Sequence, residues 1–274
     1  MDQYRVFGNP IAQSKSPFIH QQFALSTKQV LNYRAQLAQD DTFLAEVESL
    51  IKNNGKGANV TAPFKELAYQ LCDHLSERAQ MAGAVNTLLF NTDGIYGDTT
   101  DGLGLVSDLK RHAVGISEKR VLLLGAGGAA KGVVQALLDE KPSKLVIANR
   151  TLSKAETIVS QYNIDNFSAC TFEQANEQIF DIIINATSAG LSQQALPIAE
   201  HIISKAGACY DMVYGKTPTP FLQTAKQLNV NHVIDGLGML VGQAAESFML
   251  WRNVMPDVEP VLKLLRAEIN GNQS

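Results

Sequence analysis

Short runs of β-branched and aliphatic residues recur along the chain at 5–7, 58–60, 85–89, 121–124, 144–147, 182–184, 209–211 and 232–234. Between them lie segments whose apolar residues fall at helical spacing, at 18–25, 43–51, 133–138 and 221–228. Short continuous apolar runs predict buried strands, and spacing of three to four predicts amphipathic helices. Strands that alternate with helices predict an α/β protein with parallel sheets and crossover helices. Several helix starts are legible. Ser16 stands before Pro17 and Thr61-Ala62 before Pro63, each suiting an N-cap followed by proline in the first turn. Pro218 and Pro220 mark the entry to another helix, and Pro256 begins the last helix or ends its predecessor.

The stretch from about Lys119 to Gly236 reads as a self-contained series of βα units. The stretch before it has strands and helices of its own, and the tail from Leu237 reads as two helices without a strand. This pattern predicts an N-terminal α/β domain over 1–101, an inserted Rossmann-type nucleotide domain over 102–236, and C-terminal helices over 237–274 that return to the first domain.

The inserted domain opens on its most specific motif. Val121-Leu122-Leu123-Leu124 runs directly into Gly125-Ala126-Gly127-Gly128-Ala129-Ala130 and then into an Ala/Gly-rich helix from Lys131. A glycine turn in this setting, after a buried strand and before a helix, is a strong dinucleotide signal. Gly125 permits the tight turn, Gly127 lets backbone approach a pyrophosphate, and Ala130 keeps helix and strand close. The helix N-terminus then offers unpaired N–H groups to phosphate. The second strand ends Val146-Ile147-Ala148-Asn149-Arg150-Thr151. An NAD site carries an acidic residue there to bind the ribose hydroxyl. No carboxylate occurs between Lys141 and Lys154, whereas Arg150, Thr151 and Lys154 suit a 2′-phosphate. The cofactor expected is therefore NADP; the plainer reading is a solvated basic loop in which Thr151 caps a helix.

Composition narrows the field further. The 274 residues are 45% hydrophobic and 18% charged, which suits a globular protein. A net charge of −4 gives no reason to expect nucleic acid or an anionic membrane as partner. No apolar run approaches the roughly 20 residues of a membrane span. Met1-Asp2-Gln3-Tyr4-Arg5 does not open a signal peptide, so a cytoplasmic protein is expected. Three scattered cysteines, Cys72, Cys170 and Cys209, argue against disulfides or a metal site.

Four polar features remain outside the nucleotide unit. In Ser14-Lys15-Ser16-Pro17, an extended backbone would turn both serine hydroxyls toward one anion or polyol. In Asn59-Val60-Thr61-Ala62-Pro63-Phe64-Lys65, Asn59 and Thr61 share one side of a strand end. Lys65 follows at a helix N-terminus, where the dipole disfavours a cation. Asn86 interrupts an apolar strand and needs a partner or a ligand. Asp101, in Thr99-Thr100-Asp101-Gly102, either caps the next helix or serves chemistry.

Nine segments in order carry a resemblance. With S-K-S-P, N-V-T-A-P-F-K, A-V-N-T at 84–87, T-T-D-G, G-A-G-G-A-A and N-R-T go N-A-T-S-A-G at 185–190, D-M-V-Y at 211–214 and G-L-G-M-L-V-x-Q-A-A at 236–245. Over essentially its whole length the chain resembles the shikimate dehydrogenase family. The resemblance implies interconversion of 3-dehydroshikimate and shikimate with NADPH in the aromatic amino-acid pathway, with the N-terminal domain binding substrate. It implies carboxylate contacts from Ser14 and Ser16, and ring-hydroxyl contacts from Asn59, Thr61, Lys65, Asn86, Asp101 and Gln243, with Tyr214 close by. Lys65 and Asp101 would be the catalytic pair. On the cofactor it implies Gly125, Ala126, Gly127, Gly128, Ala129, Asn149, Arg150, Thr151 and Lys154, with Thr187, Met212, Gly236 and Met239 along the ribose and nicotinamide. Many relatives have arginine where this chain has Lys154. A quinate/shikimate dehydrogenase, a non-catalytic NADP sensor and a folate- or amino-acid-oxidising dehydrogenase are the competing readings.

Overall fold

The computed structural model describes residues 1–190, 192 and 194–271. The chain divides into two compact units, Met1–Gly104 with Val241–Leu265, and Leu105–Leu240 with Arg266–Ser274.

The first unit holds strands β1 (Asp2–Gly8), β2 (Leu31–Leu37), β3 (Gly55–Val60), β4 (His74–Leu75), β5 (Thr87–Asn91) and β6 (Gly94–Asp98). Its helices are α1 (Ser16–Ser26), α2 (Phe43–Lys52), α3 (Lys65–Gln70) and α4 (Glu77–Ala82), and α5 (Asp101–Arg111) begins in it. The strand order is β2-β1-β3-β5-β6-β4. The expectation of parallel pairing is corrected here, because β5 runs antiparallel to both β3 and β6. A tight turn permits this: Asn91 Oδ1 accepts from Asp93 N at 2.9 Å and Gly94 takes φ +117°, closing a hairpin that needs no crossover.

Two-residue alternation places side chains on opposite faces of this sheet. On β1, Tyr4 and Val6 cluster with Tyr33, Ile11 and Trp251, while Phe7 joins Phe43, Val47 and Phe64 on the other face. On β3, Ala58 and Val60 follow Phe7, which leaves Asn59 on the Tyr33 side.

The second unit holds β7 (Arg120–Leu124), α6 (Gly128–Asp139), β8 (Lys144–Ala148), α7 (Leu152–Val159), β9 (Phe167–Cys170), α8 (Phe172–Asn176) and β10 (Ile182–Asn185). It continues through α9 (Glu200–Ile203), β11 (Ala208–Asp211), α10 (Pro220–Gln227) and β12 (His232–Asp235). All pairings are parallel, in the order β12-β11-β10-β7-β8-β9. Counted from β7 this is the 3-2-1-4-5-6 order of doubly wound dinucleotide-binding sheets. The central strands are buried on both faces, which explains their unbroken apolar runs.

The chain ends in α11 (Leu237–Arg252) and α12 (Glu259–Asn270), with Pro256 in the loop between them. The units part after Gly104 in α5 and after Leu240 in α11, a few residues beyond the expected ends at 101 and 236. The expected return of the whole tail to the first unit is corrected at its end. Arg266 belongs to the second unit, where its guanidinium donates to both Asp235 oxygens at 2.8 and 2.6 Å. Residues 272–274 of the expected C-terminal segment lie outside the described residues. No described helix is long and apolar enough to cross a membrane.

Two helix starts also differ from expectation. Ser16 is the first residue of α1 rather than its cap, because its N–H bonds Ser14 Oγ at 3.3 Å and Lys15 occupies the cap position. The segment after Thr61 makes a turn, with Phe64 N bonded to Thr61 O at 3.0 Å, before α3 begins at Lys65. At α10 the sequence signal is joined by a cap, with Thr219 accepting from Leu222 N.

The Phe64 ring, fully buried, stacks on Phe43 at 4.8 Å between centroids and so anchors the start of α3, where Lys65 sits. Phe64→Ala is expected to cost about 3–5 kcal/mol in urea unfolding, the usual scale for emptying a buried aromatic site. A loss below about 1 kcal/mol would show that the stack is not the anchor.

On the opposite face His20 is fully buried among Tyr33, Phe23, Phe248 and Trp251, its ring stacked on Tyr33 at 4.2 Å. Burial pushes its imidazole from 6.5 down to about 3, with Asn59 opposing the shift. Between these values the unfolded chain binds a proton that the folded protein refuses. Stability must therefore fall as the pH drops through that window, by roughly 1.4 kcal/mol per unit from this group. His20→Phe should flatten the pH dependence of unfolding between 6.5 and 3; equal slopes in both proteins would place the titration elsewhere.

Candidate active site

In the first unit, Lys65 and Asp101 sit at the starts of α3 and α5 and meet as an ion pair, Nζ to Oδ2 at 2.5 Å. Their side chains are 25% and 13% exposed, so the pair is accessible without being freely solvated. The carboxylate offsets the unfavourable helix field on the ammonium. Asp101 Oδ1 accepts from Asn86 Nδ2 at 2.9 Å, and the same amide lies 3.4 Å from Gln243 Oε1. Asn86 precedes the first residue of β5 rather than lying inside the strand as expected. Its backbone N bonds Asp98 O and its O accepts from Val60 N.

Asn59 stands behind this group. Its Oδ1 accepts from Tyr33 Oη at 2.7 Å, and its Nδ2 lies 3.1 Å from Asn86 O, 3.1 Å from Thr87 Oγ1 and 2.9 Å from Ser247 Oγ. Ser14 and Ser16 meet at the start of α1, and Ser16 is buried. Thr61 follows β3, half-buried, its N–H bonded to Phe7 O at 2.9 Å. Tyr33, Thr87, Thr100 and Ser247 received no role from the sequence. Thr87 and Thr100 lay inside recognised motifs, but nothing in a single sequence brings Ser247 to Asn59, 188 residues away.

A second ion pair steadies the turn that carries Asp101. Asp98, buried, accepts from Ser76 Oγ at 2.5 Å, from Arg78 Nε at 2.8 Å and from Thr99 N at 2.7 Å. These bonds fix the backbone just before Thr100 and Asp101.

In the second unit, Gly125 takes φ +102°, its N–H bonded to Ala148 O at 2.8 Å. Gly127, Gly128 and Ala129 are exposed, Ala126 and Ala130 are buried, and the space over Gly127 and Gly128 is open. The turn lies where the strand order reverses between β7 and β10, the position at which such sheets bind ligands. Arg150, Thr151 and Lys154 are exposed beyond β8, and Asn149 Nδ2 holds their loop through Thr151 O at 2.8 Å. Thr151 is the N-cap residue of α7 but makes no side-chain capping bond.

Across the switch point, Asn185 Oδ1 accepts from Thr187 N and Oγ1 at 3.0 and 2.7 Å, while its Nδ2 donates to Asp211 Oδ2 at 3.0 Å. Asp211, fully buried, also accepts from Thr219 Oγ1 at 2.6 Å and Val213 N at 3.0 Å. Burial pushes its carboxyl above the usual range against these bonds. The segments carrying Thr187, Met212 and Tyr214 thus begin from one polar knot. Its signal was legible: a polar residue closes each of the apolar strands β10 and β11. Gly236 allows the close approach of Met212 O, and Met239 follows in α11.

A doubly wound parallel sheet with an open glycine turn at its switch point, in one chain with a mixed-sheet unit that holds a lysine–carboxylate pair, defines a two-unit α/β dinucleotide-binding protein. Residues 6–88 match the model described as the shikimate dehydrogenase substrate binding domain, 108–204 that of shikimate / quinate 5-dehydrogenase, and 236–266 that of the shikimate 5′-dehydrogenase C-terminal domain. The chain belongs to the shikimate dehydrogenase family. It is similar to the shikimate dehydrogenase (NADP(+)) of Colwellia psychrerythraea, 55% identical over 98% of both chains. Among solved structures it is similar to an Ael1 enzyme from Pseudomonas putida, with TM-score 0.93, 42% identity and coverage of 97% and 98% of the two chains. It is also similar to shikimate 5-dehydrogenase from Thermus thermophilus in complex with NADP(H) and shikimate, with TM-score 0.86, 30% identity and coverage of 97% and 99%.

Proposed function

We propose that the protein interconverts 3-dehydroshikimate and shikimate with NADPH and NADP as cofactor, in the aromatic amino-acid pathway. The observation that carries this reading is the Lys65–Asp101 pair, bonded at 2.5 Å and backed by the Asn86 amide, in a chain of this family. Lys65 and Asp101 are the catalytic pair. As the C3 carbonyl is reduced its oxygen gains alkoxide character, and the Lys65 ammonium stabilises that charge and donates the proton. Asp101 orients the ammonium and accepts from the same hydroxyl. Asn86, Gln243 and Thr61 surround the ring hydroxyls, with Asn59 behind them, and Tyr214 is assigned to the substrate as well. Ser14 and Ser16 hold the substrate carboxylate. The substrate is a small molecule, and nothing in this reading calls on nucleic acid, a membrane or a metal.

The second unit fits the cofactor. Open space over Gly127 and Gly128 leaves room for a pyrophosphate against the N-terminus of α6. Ala126 and Ala129 complete that turn. Asn149, Arg150, Thr151 and Lys154 hold the adenine ribose and its 2′-phosphate, and Thr187, Met212, Gly236 and Met239 line the nicotinamide end. When bound, the nicotinamide supplies the hydride. Lys154 keeps the charge of an arginine at that position but lacks its planar fork, so Arg150 carries the bidentate part of the phosphate recognition.

Steady-state oxidation of shikimate with NADP, with quinate and NAD as controls, tests the assignment directly. Lys65→Ala should lower kcat by roughly 10²–10⁴-fold with a smaller change in KM. Turnover close to wild type would remove Lys65 from the chemistry. Arg150→Ala should raise KM for NADPH far more than for NADH, and equal losses with the two cofactors would refute the 2′-phosphate contact.

A further inference from the structure

We propose that Thr87 is a positioning residue for the dyad, the centre of one buried hydrogen-bond chain that runs from Tyr33 through Asn59, Thr87 and Asn86 to Asp101. The proposal rests on the reading above, in which Asp101 faces the reacting hydroxyl. Each bond of the chain has a direction that follows from groups able to play only one part.

The backbone N–H of Thr100 must donate, so the Asn86 atom 2.9 Å away is its oxygen. The Asn86 amide nitrogen is thereby turned to Asp101 Oδ1 at 2.9 Å. The backbone carbonyl of Asn86 must accept, so the Asn59 atom 3.1 Å away is its nitrogen. Asn59 Oδ1 is then left to accept the Tyr33 phenol proton at 2.7 Å. The Thr87 hydroxyl has one proton. Asn86 Oδ1 can only accept, so Thr87 donates to it at 2.7 Å and accepts from Asn59 Nδ2 at 3.1 Å. Every donor from Tyr33 to Asn86 therefore points toward Asp101.

All five residues are buried, and Thr87 is wholly so. A lost partner inside such a network leaves an unsatisfied polar atom, which strengthens the preference for one arrangement. Ser247, also fully buried, braces the centre, with Oγ 2.8 Å from Thr87 Oγ1 and 2.9 Å from Asn59 Nδ2. The stacked ring of His20 walls the Tyr33 side with a flat aromatic face. Asn59 in this arrangement holds the site from behind, its amide spent on protein partners.

Thr87→Val keeps the side-chain shape and removes the hydroxyl, so the Asn86 amide loses its brace. In the full-length enzyme, kcat for shikimate oxidation should fall about tenfold while KM for NADP stays within about twofold. Thr87→Ser, which keeps the hydroxyl, should recover most of the turnover. Tyr33→Phe breaks the same chain one step further out and should also lower kcat. The double variant Tyr33→Phe/Thr87→Val should lose little more than the worse single variant, since one chain is broken twice. A Thr87→Val enzyme with wild-type kcat, or losses that multiply in the double variant, would overturn the proposal; should Thr87→Val not fold, wild-type kcat in Tyr33→Phe would do the same. Lys65→Ala measured alongside separates the two readings. If it abolishes turnover while Thr87→Val does not affect it, the chain fails and the dyad stands. If Lys65→Ala retains turnover, the dyad reading fails and takes the chain with it.

Discussion

The bond from the Thr100 backbone N–H to Asn86 Oδ1, at 2.9 Å, fixes more of this protein than its size suggests. It sets which end of the Asn86 amide faces Asp101, and through Asp101 it sets where the Lys65 ammonium rests. A partly buried ion pair is worth little unless its remaining lone pairs are satisfied. Here both Asp101 oxygens are engaged, one by the amide and one by the ammonium. The mixed sheet is what permits the geometry. Asn86 enters β5 and Asp98 leaves β6, so an antiparallel hairpin brings the two ends side by side, with Asn86 N bonded to Asp98 O. A crossover connection between parallel strands would place those ends at opposite edges of the sheet.

The second unit follows the opposite plan. Its strands are all parallel, so every carboxyl end lies on one edge, and the ligand-binding turn falls where the order reverses. Gly125 lets the chain leave β7 sharply, and Asn185 at the end of β10 fixes the neighbouring segment through Thr187. Function in such sheets is carried by what protrudes from strand ends, while the strands themselves stay apolar.

This difference decides what could be read in the sequence. The second unit was legible because its chemistry is local: strand, glycine turn, helix and basic loop follow one another between 121 and 154. Strands β2, β4, β6 and β9 were not, since each is short or lacks a continuous apolar run; β2 buries only Tyr33. The antiparallel pairing was missed because the alternation of strands with helices says nothing about a hairpin whose turn is Asn91-Thr92-Asp93-Gly94. Asn59, Thr87, Asn86 and Asp101 of the polar chain stood in recognisable motifs. Tyr33 and Ser247 did not, because they reach Asn59 only through tertiary folding, and a tyrosine in a strand or a serine in a helix carries no local mark.

Both units place an asparagine against an aspartate near strand ends, and the contrast between them separates holding from reacting. In the second unit, Asp211 is fully buried, receives an amide, a hydroxyl and a backbone N–H, and has no cation beside it in that knot. Burial pushes its carboxyl upward, as expected of an acid that serves structure in a low-dielectric place. In the first unit, Asp101 receives an amide on one oxygen and an ammonium on the other, and the lysine side chain is a quarter exposed. On the proposed reading, an arriving hydroxyl shares the proton traffic of Lys65 and Asp101 without breaking the amide bond that positions them. The same pair of residue types closes a structural joint in one sheet and, on the proposed reading, leaves a reactive face in the other, and the lysine makes the difference.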